Sequence, residues 1–144
     1  MSFVRALAVA LFAACLLVIG AASAQTYPNH PITMLVPFPP GGATDTIARI
    51  LQDSMQKTLG QTIVIENVGG AGGMICAARG ARATPDGYTI MIHQVALAAG
   101  VSLYPELKFD AVKDFAPIGL INTAASALAA PGNLPPKDFK ELLA

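Results

Sequence analysis

The chain has no tryptophan, and its three Tyr and six Phe amount to an aromatic share of 6% in 144 residues. Charge is scarce as well: it stands at 12%, with nine Lys+Arg against nine Asp+Glu. Without a basic stripe or a row of stacking rings there is no footprint for duplex or single-stranded nucleic acid. Of the two cysteines, Cys15 falls inside an apolar leader, so Cys76 stands alone and no disulfide framework exists. Cys76 reads as a small apolar filler on a helix. Phosphate-binding signatures are missing too. Neither glycine cluster ends in Gly-Lys-Ser/Thr. The run from Gly70 fails the dinucleotide fingerprint because Ile75 stands where its third glycine is due.

What the chain has in excess is apolar surface, with 53% hydrophobic residues and a mean hydropathy of +0.55. Part of that excess is local. Residues 6–22 carry no charge, follow Arg5, and end at Ala22-Ser23-Ala24, the small-x-small pattern a signal peptidase reads. Residues 1–24 are therefore expected to be a signal peptide cleaved before Gln25, which implies periplasmic export. A membrane anchor, or a lipoprotein modified at Cys15, is the alternative; the run is short for a span and lacks a basic exit flank. After cleavage eight basic side chains face nine acidic ones, a net charge of −1.

Past the leader, Ile32-Thr33-Met34-Leu35-Val36 is an apolar run closed by Pro37, which predicts a buried strand. Thr44–Leu59 spaces Ile47, Ile50, Leu51, Met55 and Leu59 as one face of a helix, with Gly60 as its stop. Thr62–Glu66 is a second strand, Gly69–Gly73 a loop, and Met74–Ala83 a second helix. Thr84-Pro85-Asp86-Gly87 has turn chemistry, and Tyr88–Ile92 makes a third strand. The order βαβαβ predicts a parallel sheet with flanking helices, an α/β fold. Beyond Ala96 the pattern reads as a small-residue loop, then a polar turn from Asp110 to Asp114, an apolar run from Ile118 to Ile121, and a last helix from Pro136 onward. That helix has no cap or breaker at its end, so the chain is expected to be truncated.

The phrase Val36-Pro37-Phe38-Pro39-Pro40-Gly41-Gly42-Ala43-Thr44-Asp45 resembles the Bug family, the extracytoplasmic solute receptors of tripartite tricarboxylate transporters. The likeness runs on through Leu59-Gly60-Gln61, Val64-Ile65-Glu66-Asn67, Gly70-Ala71-Gly72-Gly73, Pro85-Asp86-Gly87-Tyr88-Thr89, Leu103-Tyr104, Lys113–Ile118 and Leu134-Pro135. It implies a type II periplasmic-binding-protein fold of two lobes, monomeric, closing on a small carboxylate: a di- or tricarboxylate, an amino acid or an aromatic acid. Membrane transporter subunits are the implied partners, and no cofactor is. Residues 25–117 would belong to lobe one, and 118–144 to the crossing segment and the start of lobe two, truncated before that lobe is complete. The chain departs from the family's usual pattern at Met74, where asparagine is typical, at Cys76, where glycine is, and at Gly100-Val101, where Asn-Pro is common.

A βα loop in a parallel sheet aims its backbone N–H groups, and the positive end of the next helix, at whatever lies beyond the strand ends. The expected ligand loop is accordingly Phe38, Pro39, Gly41, Gly42, Ala43 and Thr44, and the resemblance to the Bug family adds Asp45 to it. Its two glycines would permit close approach and unusual dihedrals. Thr44 would cap the helix, its hydroxyl turned either to a backbone N–H or to ligand. Phe38 either presses on the ligand's carbon skeleton or anchors the loop from below. Asp45 suits an orienting role, since a second negative charge opposes an anion. Gln94, after the third strand, is the expected contact from a neighbouring loop. His93 beside it has no Cys, Asp or Glu at metal-ligand spacing and reads as a hydrogen-bonded strand-end residue. The competing classes are a secreted hydrolase-like or other enzyme and a structural secreted module. Ser54 and Ser126 lack a nucleophile elbow, and His30 precedes any catalytic loop, so neither a nucleophile nor a base can be assigned.

Overall fold

A computed structural model describes residues 27–125, 131, 135 and 138–142. The first strand, β1 (Ile32–Val36), is the middle of a three-stranded sheet in the order β2-β1-β3, with β2 at Ile63–Asn67 and β3 at Thr89–Met91. Both pairings are parallel, Ile32 lying opposite Ile63 and Met34 opposite Ile90. A central parallel strand is covered on both faces, which is why β1 is an almost unbroken apolar run. Its alternate side chains go to opposite layers. Ile32, Met34 and Val36 form a core with Ile63 and with Ile47, Ala48, Leu51, Met55 and Leu59 of α1 (Ala43–Leu59). Leu35 points the other way, toward α2 (Met74–Ala81), where Cys76 and Ala77 are also buried.

Helices thus cover both faces of the sheet, and local chemistry fixes where each begins and ends. Gly60 closes α1 in the left-handed conformation, its N–H donating to Gln56 O at 3.0 Å. Two glutamines on the last turns of α1 then hold the entry to β2. Gln52 Nε2 donates to Ile63 O, and Ile63 N donates to Gln56 Oε1. The turn before β3 is closed by Tyr88 N donating to Asp86 Oδ1, with Gly87 at φ 84°. Tyr27 Oη donates to Gly87 O, and His30 stacks on the Tyr88 ring at 3.5 Å. His30 therefore sits at the amino edge of the strands, opposite the βα loops.

Three expectations are corrected. Residues 96–103 are a helix, α3 (Ala96–Leu103), and not a small-residue loop. Being apolar all round, the segment shows no polar face to betray its period, yet alanine and leucine favour helix. Its Gly100 packs against Met74 so closely that a Cβ there would overlap the thioether sulfur. The N-cap of α1 is Gly42, without a side-chain cap bond, so Thr44 sits inside the first turn and is not the cap. Gly42 has an ordinary extended backbone at φ −77°, and only Gly41, at φ 84°, needs to be glycine. The Asp110–Asp114 turn matches its reading, with Asp114 N donating to Asp110 O and Asp110 Oδ1 accepting from Val112 and Lys113. A short helix, α4 (Phe139–Leu142), lies in the segment read as helical at the end of the chain. Residues 1–24 lie outside the described residues, and the segment 118–144 falls partly outside them. No helix among the described residues is long and apolar enough to cross a membrane.

Candidate functional site

In an open parallel sheet of order β2-β1-β3 the binding edge is the one beyond the carboxyl ends of the strands. The loops after β1, β2 and β3 all reach that edge. They meet at one point. Gly73, at φ 93°, leaves so little room that a Cβ there would lie 2.8 Å from His93 Nε2 and 2.9 Å from Pro37 Cβ. Pro37 closes β1, Gly73 precedes α2 and His93 follows β3, so this contact ties all three loops together. His93 strengthens it: Nε2 lies 3.3 Å from Gly73 O, and Gln94 N donates to Nδ1 at 3.0 Å. One neutral tautomer satisfies both, with the proton on Nε2. The glycine loop itself is tightly wound, and Ala71 within it takes a left-handed φ of 48°.

The loop after β1 is organised around Asp45, which is 2% exposed. Its Oδ2 accepts from Gly41 N and from Arg49 Nε, both at 2.9 Å, and Oδ1 accepts from Arg49 Nη2 at 3.2 Å and from Asn67 Nδ2 at 3.0 Å. The Arg49 guanidinium, then the Gly41 N–H and the Asn67 amide, hold this carboxyl well below the usual carboxylate range against the opposing effect of burial. Asn67 also donates to Phe38 O at 2.9 Å, joining the end of β2 to the start of the loop. Asp45 is thus an ionised, already compensated anchor. The first intrahelical bond of α1 runs from Thr46 N to Gly42 O. The N–H groups of Ala43, Thr44 and Asp45 consequently have no acceptor within the helix.

Each residue expected from sequence can now be placed. Gly41, Gly42, Ala43, Thr44 and Asp45 form one continuous loop and first helical turn, and Pro39 lies exposed before them. The Gly41 N–H is engaged by Asp45, so this glycine shapes the loop and its donor is already spent within it. Phe38 is half-buried, and its carbonyl is the acceptor for Asn67. Gln94 reaches the same edge with an exposed side chain, while its backbone is occupied by His93 and by Leu97 N. Arg49 and Asn67 were not singled out as loop residues. The Asp45–Arg49 spacing of i, i+4 was a readable signal for the first; an asparagine ending a strand before a glycine cluster was a weaker one for the second. Two open depressions border these loops. One, of about 420 Å³, flanks α1 between Gly41 and Asp53 and is lined by two carboxylates, Asp45 and Asp53, against Arg49. The other, about 470 Å³ and largely apolar, runs between α2 and residues 104–109. No group of three or more metal-ligating side chains occurs among the described residues.

Residues 47–144 match the family described as the tripartite tricarboxylate transporter family receptor. The chain belongs to that family. It is 41% identical to protein BugT of Bordetella pertussis over 124 residues, which is 84% of this chain and 38% of BugT. The periplasmic binding protein BugD superposes with a TM-score of 0.64 at 42% identity, covering 81% of this chain and 39% of BugD. MatC of Rhodopseudomonas palustris, solved with bound malate, gives a TM-score of 0.63 at 46% identity over 66% of this chain and 33% of MatC. The chain spans little more than a third of the curated relatives it matches, 35% and 38% of the first two. The α/β architecture with its parallel sheet is that of periplasmic binding proteins. Two of the family departures read from sequence, Met74 and Gly100, prove to be in contact. The long thioether fits because position 100 has no side chain.

Proposed function

We propose that this protein is a periplasmic receptor that captures a small carboxylate for a tripartite tricarboxylate transporter, and that the loop from Phe38 to Asp45 forms part of the binding wall. One observation carries the reading. At the carboxyl edge of the sheet α1 presents three N–H groups without helical acceptors, while the loop's own anion, Asp45, is neutralised by Arg49. A helix N-terminus of this kind accepts a carboxylate without any lysine. Family membership and the malate-bound neighbour support the ligand class. In this reading residues 1–24 direct export, residues 25–117 belong to the first lobe, and residues 118–144 lead toward the second. The membrane subunits of the transporter are its partners.

Gly42→Val tests the site in the full-length protein. The backbone at residue 42 tolerates a side chain, whose Cβ would meet only Pro39 O at 3.5 Å, so the fold should survive. Bulk at the loop should nevertheless keep a ligand off the N–H groups. The loss of one charge-assisted hydrogen bond, about 1.5–3 kcal/mol, weakens affinity by well over tenfold. Calorimetry with malate showing equal affinity for Gly42→Val and wild type would refute the assignment. Lys57→Ala, at the far end of α1, should leave affinity unchanged.

A further inference from the structure

We propose that Asn67 is a positioning residue of the ligand loop: from the end of β2 it holds the segment Phe38–Asp45 in the geometry that presents the α1 N–H groups, without itself touching ligand. This rests on the carboxylate-site reading above and adds the device that holds that site ready. Besides the Thr46 hydroxyl on Gly42 O, two side-chain ties hold the loop. One is local, Asp45 to Gly41 N at 2.9 Å with Arg49 clamped on the same carboxylate. The other comes from a different strand. A single Asn67 Nδ2 group spends its two protons on Phe38 O and Asp45 Oδ1, at 2.9 and 3.0 Å. It therefore grips both ends of the loop at once, and its own position is set by the sheet, where Asn67 pairs in register with Val36. Val68 N adds a backbone bond to Val36 O at 2.8 Å, so the strand end carrying Asn67 is fixed against β1.

The amide is the right group for this place. It must donate twice, once toward a carbonyl and once toward an ionised carboxylate, and an uncharged NH₂ does so without adding charge beside an anion site. Aspartate at position 67 would set a second carboxylate against Asp45. The charged groups described at this point are Asp45 and Arg49 of α1, and Arg49 already spends two donors on Asp45. The introduced carboxyl would then be held ready to protonate, and its protonated form would recover one of the two donor bonds.

The test uses the full-length protein without ligand first. Hydrogen exchange followed by mass spectrometry should show exchange of the Gly41 and Thr46 amides, the donors of this loop that carry an acceptor, rising about tenfold or more in Asn67→Ala, with β1 and the second half of α1 unchanged and melting still cooperative. Malate affinity, measured by calorimetry, should fall about tenfold or more in the same variant. Relative to wild type at the same pH, a ratio that cancels malate's own ionisation, Asn67→Asp should bind malate more weakly at pH 8 than at pH 5. Unchanged loop exchange in Asn67→Ala, or unchanged malate affinity despite a loosened loop, overturns the proposal, as does an Asn67→Asp affinity equal to that of wild type at both pH values. If wild type itself fails to bind malate, the ligand reading falls, and loop exchange alone then decides whether Asn67 holds the loop.

Discussion

Replacing Gly73 with alanine should cost far more than replacing either glycine of the loop after β1, because three βα loops converge on its missing side chain. Two effects add. At φ 93° a residue with a Cβ is in the left-handed region, at about 1–2 kcal/mol. The new methyl would also stand 2.8 Å from His93 Nε2 and 2.9 Å from Pro37 Cβ. Pro37 is fully buried and rigid, so the overlap is relieved by moving backbone, at about 1–3 kcal/mol. The lower entropy of the unfolded alanine chain returns about 0.4–1 kcal/mol, leaving a net loss of about 1–4.5 kcal/mol. Gly41→Ala has the same kind of strain at φ 84° but nothing within 4 Å, so with the same entropy return it should lose only about 0–1.5 kcal/mol. Gly42→Ala, with ordinary dihedrals, should be neutral or slightly stabilising. Urea unfolding of the full-length protein, followed by circular dichroism, ranks the three. In a His93→Ala background one of the two obstructing groups is gone, and the cost of Gly73→Ala should shrink by about 1 kcal/mol or more. A Gly73→Ala protein as stable as Gly41→Ala, or no coupling to His93, would refute the convergence of Pro37, Gly73 and His93.

Cys76 is buried against the sheet, and burial pushes its thiol up to about 11 from 9.0. The unfolded chain ionises first as pH rises, so the stability this thiol contributes is intact below pH 9 and is lost between 9 and 11, and Cys76→Ala should flatten that decline in pH-dependent melting. Below pH 8 the folded protein should resist iodoacetamide. Gly100→Leu should overpack the contact with Met74 and destabilise by about 1–3 kcal/mol. Adding Met74→Ala should recover much of that loss, and additive costs would contradict the contact. Mass spectrometry of the exported protein should find Gln25 at its N-terminus, and retention of residues 1–24 would contradict cleavage after Ala24.

The sequence by itself determined the sheet. The strand at Ile32–Val36 was readable because it is buried on both faces and must be apolar throughout, and α1 because its one buried stripe repeats at helical spacing. The position of the loop proposed for the ligand was legible as well, since a proline- and glycine-rich stretch between such a strand and such a helix falls at the carboxyl edge of a parallel sheet. Helix α3 was not, because a helix apolar on every side carries no period to read. The division of labour within the loop also waited for the tertiary structure. Asp45 looked like an obstacle to an anion until Arg49, one turn along, and Asn67, from another strand, were seen to occupy its oxygens. Gly41 and Gly42 look alike in sequence, yet one needs its positive φ and the other does not. Such roles depend on which groups the fold brings within 3 Å of each other across 22 or 29 residues of sequence. Residue type and spacing carry local periods and turn chemistry, but they do not carry distances between segments that only packing brings together.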